Sequence, residues 1–342
     1  MVAAIGSMVG CQIGSPPPRI VGGGATSIEP LVNSWQAAYF AETGVQVDYI
    51  GAGSGNGVQQ MIRRAILFGC TDSPLNAEQM AAAQAIGGEV LHIPLTITGV
   101  TPICHVPGVP DGVAVRFSGD ALARIFLGEI TRWNDPALTA LNPGLDLPDL
   151  AIRVISRSEP SGTTAIFAEF LARSAPELWA RHNMGRGPGA AFGVGLRQKG
   201  NPGVAGEVRR NPGAIGYVEL SYAAQMRRSV ALGAVRNAAG NFVVARPETI
   251  LAAADAARNP HENLDIGLID APGSDSYPIC GVDWAVMYRR QRGEDGRRLV
   301  DFLRWATAPD RGQRFAAALG YAPLTIALID RARAGLNSVT IE

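Results

Sequence analysis

The chain has 342 residues, a length that corresponds to roughly two domains. Hydrophobic residues make up 47% and charged residues 18%, which excludes a disordered chain because such chains are poor in apolar residues and rich in charge. The 30 Lys and Arg residues balance the 30 Asp and Glu residues, so no overall positive field attracts nucleic acid or an anionic membrane. Any bound anion must therefore be held locally by donors aimed at it.

Residues 1–18 are predicted to be a signal remnant followed by a tether. An apolar start leads to Met8-Val9-Gly10-Cys11, which is similar to the end of a bacterial lipoprotein signal and makes Cys11 the candidate for lipid attachment. No basic residue precedes Cys11, although signal peptides begin with a positive region, so either the true start lies upstream or the similarity is chance. We expect the periplasm or the outer face of the cell envelope, with any membrane contact through this lipid alone.

In the first third of the chain, strand and helix patterns alternate. Strands are predicted at residues 19–21, 45–50, 67–71 and 90–97, and helices at residues 27–43, 55–66 and 76–86. This order is typical of a mostly parallel sheet with helices on both faces.

The middle third differs from the two ends in its order of predicted helices and strands. It has predicted helices at residues 118–126, after Asn134, and at 161–171 and 201–210, with strands at 151–155 and 214–218 and a turn at 237–241. The last third has an extended segment at 279–288 and helices at 293–307, 309–318 and 325–335. The layout predicts one α/β lobe built from both chain ends and a second lobe inserted into it.

The four cysteines, Cys11, Cys70, Cys104 and Cys280, form no CxxC pair, which argues against metal binding or thioredoxin-like chemistry. An oxidising compartment permits disulfides, and Cys104 and Cys280 both lie in strand-like runs. They either pair, if those strands are neighbours, or remain buried free thiols. The four histidines stand apart without an HExxH pattern: His92, His105, His182 and His261. We expect no metal and no cofactor.

Three turns combine glycine or proline with small hydroxyl residues at the start of a predicted helix, at residues 23–27, 51–57 and 157–163. The unpaired N–H groups and partial positive charge of a helix start can bind an anion, and clustered glycines let backbone approach closely. Ordinary helix capping explains any one of these turns alone. The motif GxxxxGK[ST] is absent, and no GxSxG surrounds Ser54 or Ser161.

Seven segments occur in an order that resembles the phosphate-binding protein of the high-affinity phosphate ABC transporter, the PstS family, over about residues 20 to 335. They are Gly-Gly-Gly-Ala-Thr26, Gly-Ala-Gly-Ser54-Gly-Asn-Gly-Val, Phe68-Gly-Cys-Thr-Asp72-Ser-Pro-Leu75, Phe126-Leu-Gly-Glu-Ile-Thr-Arg-Trp133, Leu141-Asn-Pro-Gly144, Ser161-Gly-Thr163 and Asn211-Pro-Gly-Ala-Ile-Gly-Tyr-Val218.

The resemblance implies a type II periplasmic-binding-protein fold. Each of its two lobes would have a central mixed, mostly parallel sheet flanked by helices, with the ligand in the cleft between the lobes. We expect lobe 1 to comprise residues 19–104 and 280–342 and lobe 2 residues 105–279. Extended crossovers are expected near residues 104–105 and 279–280.

The resemblance also implies the contacts to phosphate. Donors are expected from the hydroxyl of Thr26, the backbone N–H of Ser27, the hydroxyl of Ser54, the guanidinium of Arg157, and the hydroxyls and backbone of Ser161, Gly162 and Thr163. Asp72 would accept a hydrogen bond from a protonated ligand oxygen, which phosphate carries near neutral pH and sulfate lacks, so Asp72 would select phosphate.

The chain departs from the family pattern at two places. Ser27 stands where the family usually has an aromatic residue, and Glu159-Pro160 replaces an Asp-Gly pattern. Glu159 is still expected to orient Arg157, with one more methylene of reach. Both departures bear on affinity more than on the class of ligand.

The implied function is extracytoplasmic, high-affinity binding of inorganic phosphate and its delivery to the membrane permease subunits of an ABC transporter. Binding would proceed by cleft closure without covalent chemistry, in a monomer that is not an enzyme. The alternatives are a binding protein for another oxyanion, such as sulfate or molybdate, and a secreted phosphatase on the same scaffold.

Overall fold

The computed structural model describes residues 17–226, 228–257, 264 and 266–342. Cys11, His261 and nearly all of the predicted signal and tether segment lie outside the described residues. Within the described ranges, no helix combines the length and the apolar character needed to cross a membrane.

The described residues alternate between strands and helices along most of the chain. The strands are β1 (Arg19–Gly24), β2 (Gln46–Gly51), β3 (Phe68–Thr71), β4 (Val90–Cys104), β5 (Val115–Phe117), β6 (Arg153–Arg157), β7 (Leu196–Gln198), β8 (Ala214–Glu219), β9 (Ala231–Arg236), β10 (Phe242–Val244), β11 (Cys280–Tyr288), β12 (Arg290–Gln291) and β13 (Thr340–Ile341). The α-helices are α1 (Glu29–Thr43), α2 (Ser54–Ile62), α3 (Ala77–Gly87), α4 (Gly119–Phe126), α5 (Pro136–Leu141), α6 (Gly162–Ser174), α7 (Pro176–Arg181), α8 (Gly200–Arg210), α9 (Leu220–Ala224), α10 (Pro247–Ala256), α11 (Gly293–Thr307) and α12 (Ile326–Asn337).

Eleven of these strands form one curled, mixed sheet with the order β2-β1-β3-β11-β4-β8-β6-β7. Strand β9 pairs with β4 beside this path, and β5 and β10 pair with β9. Strands β2, β1 and β3 are parallel at one end, and β8, β6 and β7 are parallel at the other. The antiparallel strands β11 and β4 join the two parallel halves. This is the expected α/β architecture.

Strand β4 belongs to both halves of the sheet. Its residues Val90 to Gly99 pair with β11, and its residues Val100 to Cys104 pair with β8. The predicted strand at 90–97 thus extends seven residues further, because Thr98 to Cys104 are buried on both sides and lack the alternation that marks a half-exposed strand.

Each half of the sheet has its own aromatic core. On one side, Phe302 of α11 contacts Trp35 of α1 edge-on, with ring centroids 6.3 Å apart. On the other, Phe167 of α6 stacks on Tyr217 of β8 at 4.4 Å. These packed helices fix the strand ends from which the polar turns emerge.

The prediction of an α-helix at residues 309–318 is wrong. Two 3-10 helices occur there, Gly312–Phe315 and Ala317–Leu319. The carbonyl of Gly312 accepts a hydrogen bond of 2.8 Å from the indole of Trp35, and a Cβ at residue 312 would lie 2.3 Å from the carbonyl oxygen of Ala306. The backbone of this segment therefore makes tertiary contacts with Trp35 and Ala306 and does not form a regular α-helix. Helices α7, α9 and α10 had no counterpart in the sequence prediction.

Cys104 and Cys280 are separate, buried free thiols, so the disulfide alternative is not the one observed. Cys280 pairs with Gly99 of β4, whereas Cys104 lies five residues further along that strand, opposite Ile215 of β8. At about 3.3 Å per residue, this offset exceeds the Cα separation of about 6 Å that a disulfide spans.

Candidate anion-binding site

The three predicted turns meet at one place in the fold. The turn at residues 25–28 follows β1, Ser54 begins α2, Asp72 follows β3, Arg157 ends β6, and Ser161 caps α6. Close backbone packing aids the convergence, since a Cβ at Gly57 would lie 2.4 Å from the Cα of Gly24. The eight predicted contact residues are all buried: Thr26, Ser27, Ser54, Asp72, Arg157, Ser161, Gly162 and Thr163.

Asp72 lies at the centre of this cluster. Its Oδ1 accepts a hydrogen bond from the hydroxyl of Ser54 at 2.7 Å, and its Oδ2 accepts one from the hydroxyl of Thr163 at 2.8 Å. The backbone N–H of Gly162 donates to the Ser54 oxygen at 3.0 Å. A residue from each of two helix starts thus holds the carboxylate, and the two starts belong to opposite halves of the sheet.

Arg157 is a buried cation that Glu159 orients. Its Nε donates to Glu159 Oε1 at 2.9 Å, and its Nη2 donates to the same oxygen and, at 3.4 Å, to the hydroxyl of Thr26. Nη1 is buried and has no hydrogen-bond partner among the described residues. Burial alone would raise the pKa of Glu159, but the Arg157 charge and hydrogen bonds from Arg157 and the Gly200 backbone outweigh it and lower that pKa. The expected pairing of Glu159 with Arg157 is therefore present.

Thr26 joins the two halves through partners that the sequence did not indicate. Its Oγ1 accepts from the backbone N–H and the side-chain amide of Asn201, at 3.2 and 3.0 Å, and its carbonyl accepts from the hydroxyl of Tyr222 at 2.8 Å. The Asn201 amide also lies 3.5 Å from Thr163 Oγ1. Asn201 stood in the sequence only as the start of a predicted helix, with nothing to connect it to Thr26.

Ser27 and Ser161 have partners that do not involve Asp72. The Ser27 hydroxyl donates to Asp283 Oδ1 at 2.5 Å, and the Tyr321 hydroxyl donates to the Ser27 carbonyl. The Ser161 hydroxyl caps α6 by accepting from the Thr164 N–H at 3.2 Å. Asp283, fully buried on β11, is a second site residue that sequence reasoning missed.

The surroundings of two further carboxyls near the cluster favour their protonated, uncharged forms. Burial raises the pKa of Glu219 to about 8, although hydrogen bonds from Ser221 oppose the shift. Burial, followed by the nearby charge of Asp72, raises the pKa of Asp283 well above its ordinary value. Burial therefore disfavours the ionised forms of both Glu219 and Asp283.

The described residues show which catalytic groups lie near the Ser54 hydroxyl. No group of three or more His, Cys, Asp or Glu side chains able to hold a metal occurs in the part of the chain that the structure describes. Two of the described histidines have partners elsewhere: His92 accepts from the backbone of Leu75, and His182 contacts Glu129. The Ser54 hydroxyl donates to the Asp72 carboxylate, and none of its hydrogen-bond partners among the described residues is a histidine.

Comparison with known proteins finds relatives of a single family. Residues 12–310 match the PBP superfamily domain. The phosphate-binding protein PstS of Xylella fastidiosa strain 9a5c is 36% identical over 318 residues, which cover 92% of this chain and 84% of that protein. The phosphate-binding protein PstS of Haemophilus influenzae is 37% identical over 308 residues, which cover 89% of this chain and 88% of that protein.

Solved structures show the same fold at lower sequence identity. The phosphate-binding protein from Stenotrophomonas maltophilia superposes with a TM-score of 0.68 at 21% identity, covering 92% of this chain and 93% of that one. A high-affinity periplasmic phosphate-binding protein with bound phosphate, PfluDING, gives a TM-score of 0.73 at 22% identity with the same coverage. The identity and coverage of the sequence relatives and the shared fold establish that this chain belongs to the PBP superfamily and, within it, to the PstS family of phosphate-binding proteins.

Proposed function

We propose that this chain binds inorganic phosphate between its two lobes and delivers it to the permease subunits of an ABC transporter. The observation that carries the proposal is the buried pairing of Asp72 with two hydroxyl donors, close to the Arg157 guanidinium, whose Nη1 has no hydrogen-bond partner among the described residues. Such a site offers many donors and one acceptor. That combination matches a tetrahedral oxyanion that still carries a proton.

The eight residues would make different types of contact with phosphate. Arg157 supplies charge-assisted bonds, with Glu159 fixing its plane. Hydroxyl and backbone donors complete the shell: Thr26, Ser27, Ser54, Ser161, Gly162 and Thr163. The hydroxyls of Ser54 and Thr163 donate to Asp72, and phosphate oxygens would exchange for some of these bonds as the protonated oxygen donates to Asp72.

We propose lobes at residues 19–104 with 280–342, and at 105–279. The change of partner along β4, from β11 to β8 after Gly99, supports a connection through this strand. Contacts such as Tyr222 to Thr26 join the lobes and would form as the cleft closes. Closed and open forms would then be distinguished by the permease.

The protein would act outside the cytoplasm, as a monomer, held to the membrane through a lipid on Cys11 if that cysteine is modified. Two features favour binding without catalysis. The Ser54 hydroxyl faces a carboxylate, and the described residues offer no metal-binding group. Asp72 disfavours sulfate or molybdate, because a fully deprotonated ligand gives this carboxylate no hydrogen bond and only repulsion.

Calorimetric titration of the purified protein with phosphate, sulfate and p-nitrophenyl phosphate tests the proposal. We expect phosphate to bind, sulfate to bind far more weakly, and the ester to remain unhydrolysed. Arg157→Met should abolish phosphate binding, whereas Arg209→Met, at an exposed arginine near the end of α8, should retain it. Equal binding of sulfate would refute the role of Asp72, and turnover of the ester would refute a purely binding function.

A further inference from the structure

Asp283 is a buried carboxyl beside the site that the proposed phosphate contacts leave unused. It is 0% exposed. Its Oδ1 accepts the hydroxyl of Ser27 at 2.5 Å, whereas its Oδ2 has no hydrogen-bond partner among the described residues. An ionised carboxylate buried with one bare oxygen is costly, and protonation relieves that cost.

The sheet places Asp283 next to Asp72. Strands β3 and β11 run antiparallel, and Thr71 lies opposite Trp284. Asp72 follows Thr71 and Asp283 precedes Trp284, so each carboxyl lies one residue beyond the last pair, toward the same edge. Opposite positions on adjacent antiparallel strands have Cβ atoms about 5 Å apart and face the same side. The two carboxyls therefore form a pair.

The titratable groups whose electrostatic interaction with Asp283 is resolved are acidic or neutral. Burial is the largest cause of its raised pKa, followed by the charge of Asp72, while the Ser27 hydrogen bond opposes the shift. The groups around it on the neighbouring elements are Asp72, Glu219, Cys70, Tyr49 and Tyr321. Two carboxylates that share a buried site do not both ionise near neutral pH, and the pair holds one proton.

We propose that Asp283, anchored by Ser27, is a specificity-determining residue of the anion site, because it carries the proton of this pair and so keeps a second negative charge from lying beside Asp72 at the oxyanion. The inference rests on the proposed phosphate binding. As the pH rises and Asp283 ionises, a second negative charge repels the ligand, which favours oxyanions of low charge. Ser27, the residue that departs from the family pattern, thus has the role of holding Asp283.

The test compares phosphate affinity of the wild type and Asp283→Asn from about pH 5 to about pH 9. The amide has the same shape, can accept from Ser27 and never ionises, while the ionisation of phosphate itself affects both proteins equally. We expect affinities within about threefold at low pH and a variant that binds at least about tenfold more tightly than wild type at the alkaline end. Asp301→Asn, at an exposed site on α11, should keep the wild-type profile.

Ser27→Ala gives a second, independent readout. Loss of the hydroxyl removes a donor that stabilises ionised Asp283, so the alkaline loss of affinity should move to higher pH. Parallel profiles for wild type and Asp283→Asn would overturn the inference, and if that variant does not fold, an unshifted profile in Ser27→Ala would overturn it. Failure of the wild type to bind phosphate at any pH would instead refute the proposed function.

Discussion

Gly162→Ala tests whether Asp72 and the start of α6 form the anion site. Gly162 is the first residue of α6 and has no positive φ, so alanine fits its backbone. A Cβ at this position would, however, lie 1.9 Å from Asp72 Oδ1. The methyl group must therefore displace the carboxyl or the helix start by at least about 1 Å.

The displacement acts on two hydrogen bonds, from Ser54 to Asp72 at 2.7 Å and from the Gly162 N–H to Ser54 at 3.0 Å. A hydrogen bond to a charged group contributes about 2 kcal/mol and a neutral one about 1 kcal/mol. Loss of both bonds therefore removes roughly 3 kcal/mol of the free energy that holds the site in its binding geometry. If phosphate binding depends on this geometry, the affinity should fall about 100-fold.

Isothermal titration with phosphate measures this loss, and thermal unfolding reports whether the variant is folded. The matched control is Gly203→Ala within α8, where the nearest atom to the new Cβ is the Gln198 Cβ at an ordinary 3.4 Å. It should bind like the wild type and gain slight stability from helix propensity. A folded Gly162→Ala protein that binds phosphate within about threefold of wild type would refute the placement of Asp72 at the anion.

Three further predictions concern single side chains. Asp72→Asn should relax discrimination against sulfate in competition titrations, since the amide can donate to a deprotonated oxygen; unchanged selectivity would contradict the assigned role. Arg157→Lys should weaken phosphate binding at least about tenfold by titration, because an ammonium cannot reproduce the planar fork that Glu159 orients, and near-wild-type affinity would mean that charge alone suffices. The pKa of Glu219, raised from 4.5 to about 8, means that native Glu219 stays protonated while the unfolded chain ionises, so stability falls as pH rises between these values, by at most ~5 kcal/mol. Glu219→Gln should remove this part of the pH dependence in denaturant unfolding at several pH values, and an unchanged slope would show that Glu219 is ionised in the native state.

The local part of the site could be predicted from the sequence. A hydroxyl or glycine at a helix start, an arginine at a strand end and an acid after a strand are features of a few adjacent residues. The structure brings Ser54, Asp72, Arg157 and Thr163 into one cluster, and their contacts to phosphate stay a prediction. Helix and strand periodicity likewise predicted most elements, since burial of one face repeats along each segment.

Long-range partners could not be predicted in this way. Asp283 lies 256 residues from Ser27, and Asn201 lies 175 residues from Thr26, so no local pattern connects either pair. The α-helix predicted at residues 309–318 is likewise absent, because the carbonyl of Gly312 accepts a hydrogen bond from the distant Trp35 and the segment forms 3-10 helices.

The opening composition predicted that, without net positive charge, any anion must be bound by locally aimed groups, and the sequence by itself determined which turns carry them. Only the tertiary structure decided which turns meet, that Cys104 and Cys280 stay apart, and that Asp72 has a second buried carboxyl beside it. The physical reason is that hydrophobic periodicity specifies which face of an element is buried, whereas strand order and register decide which buried side chains become neighbours.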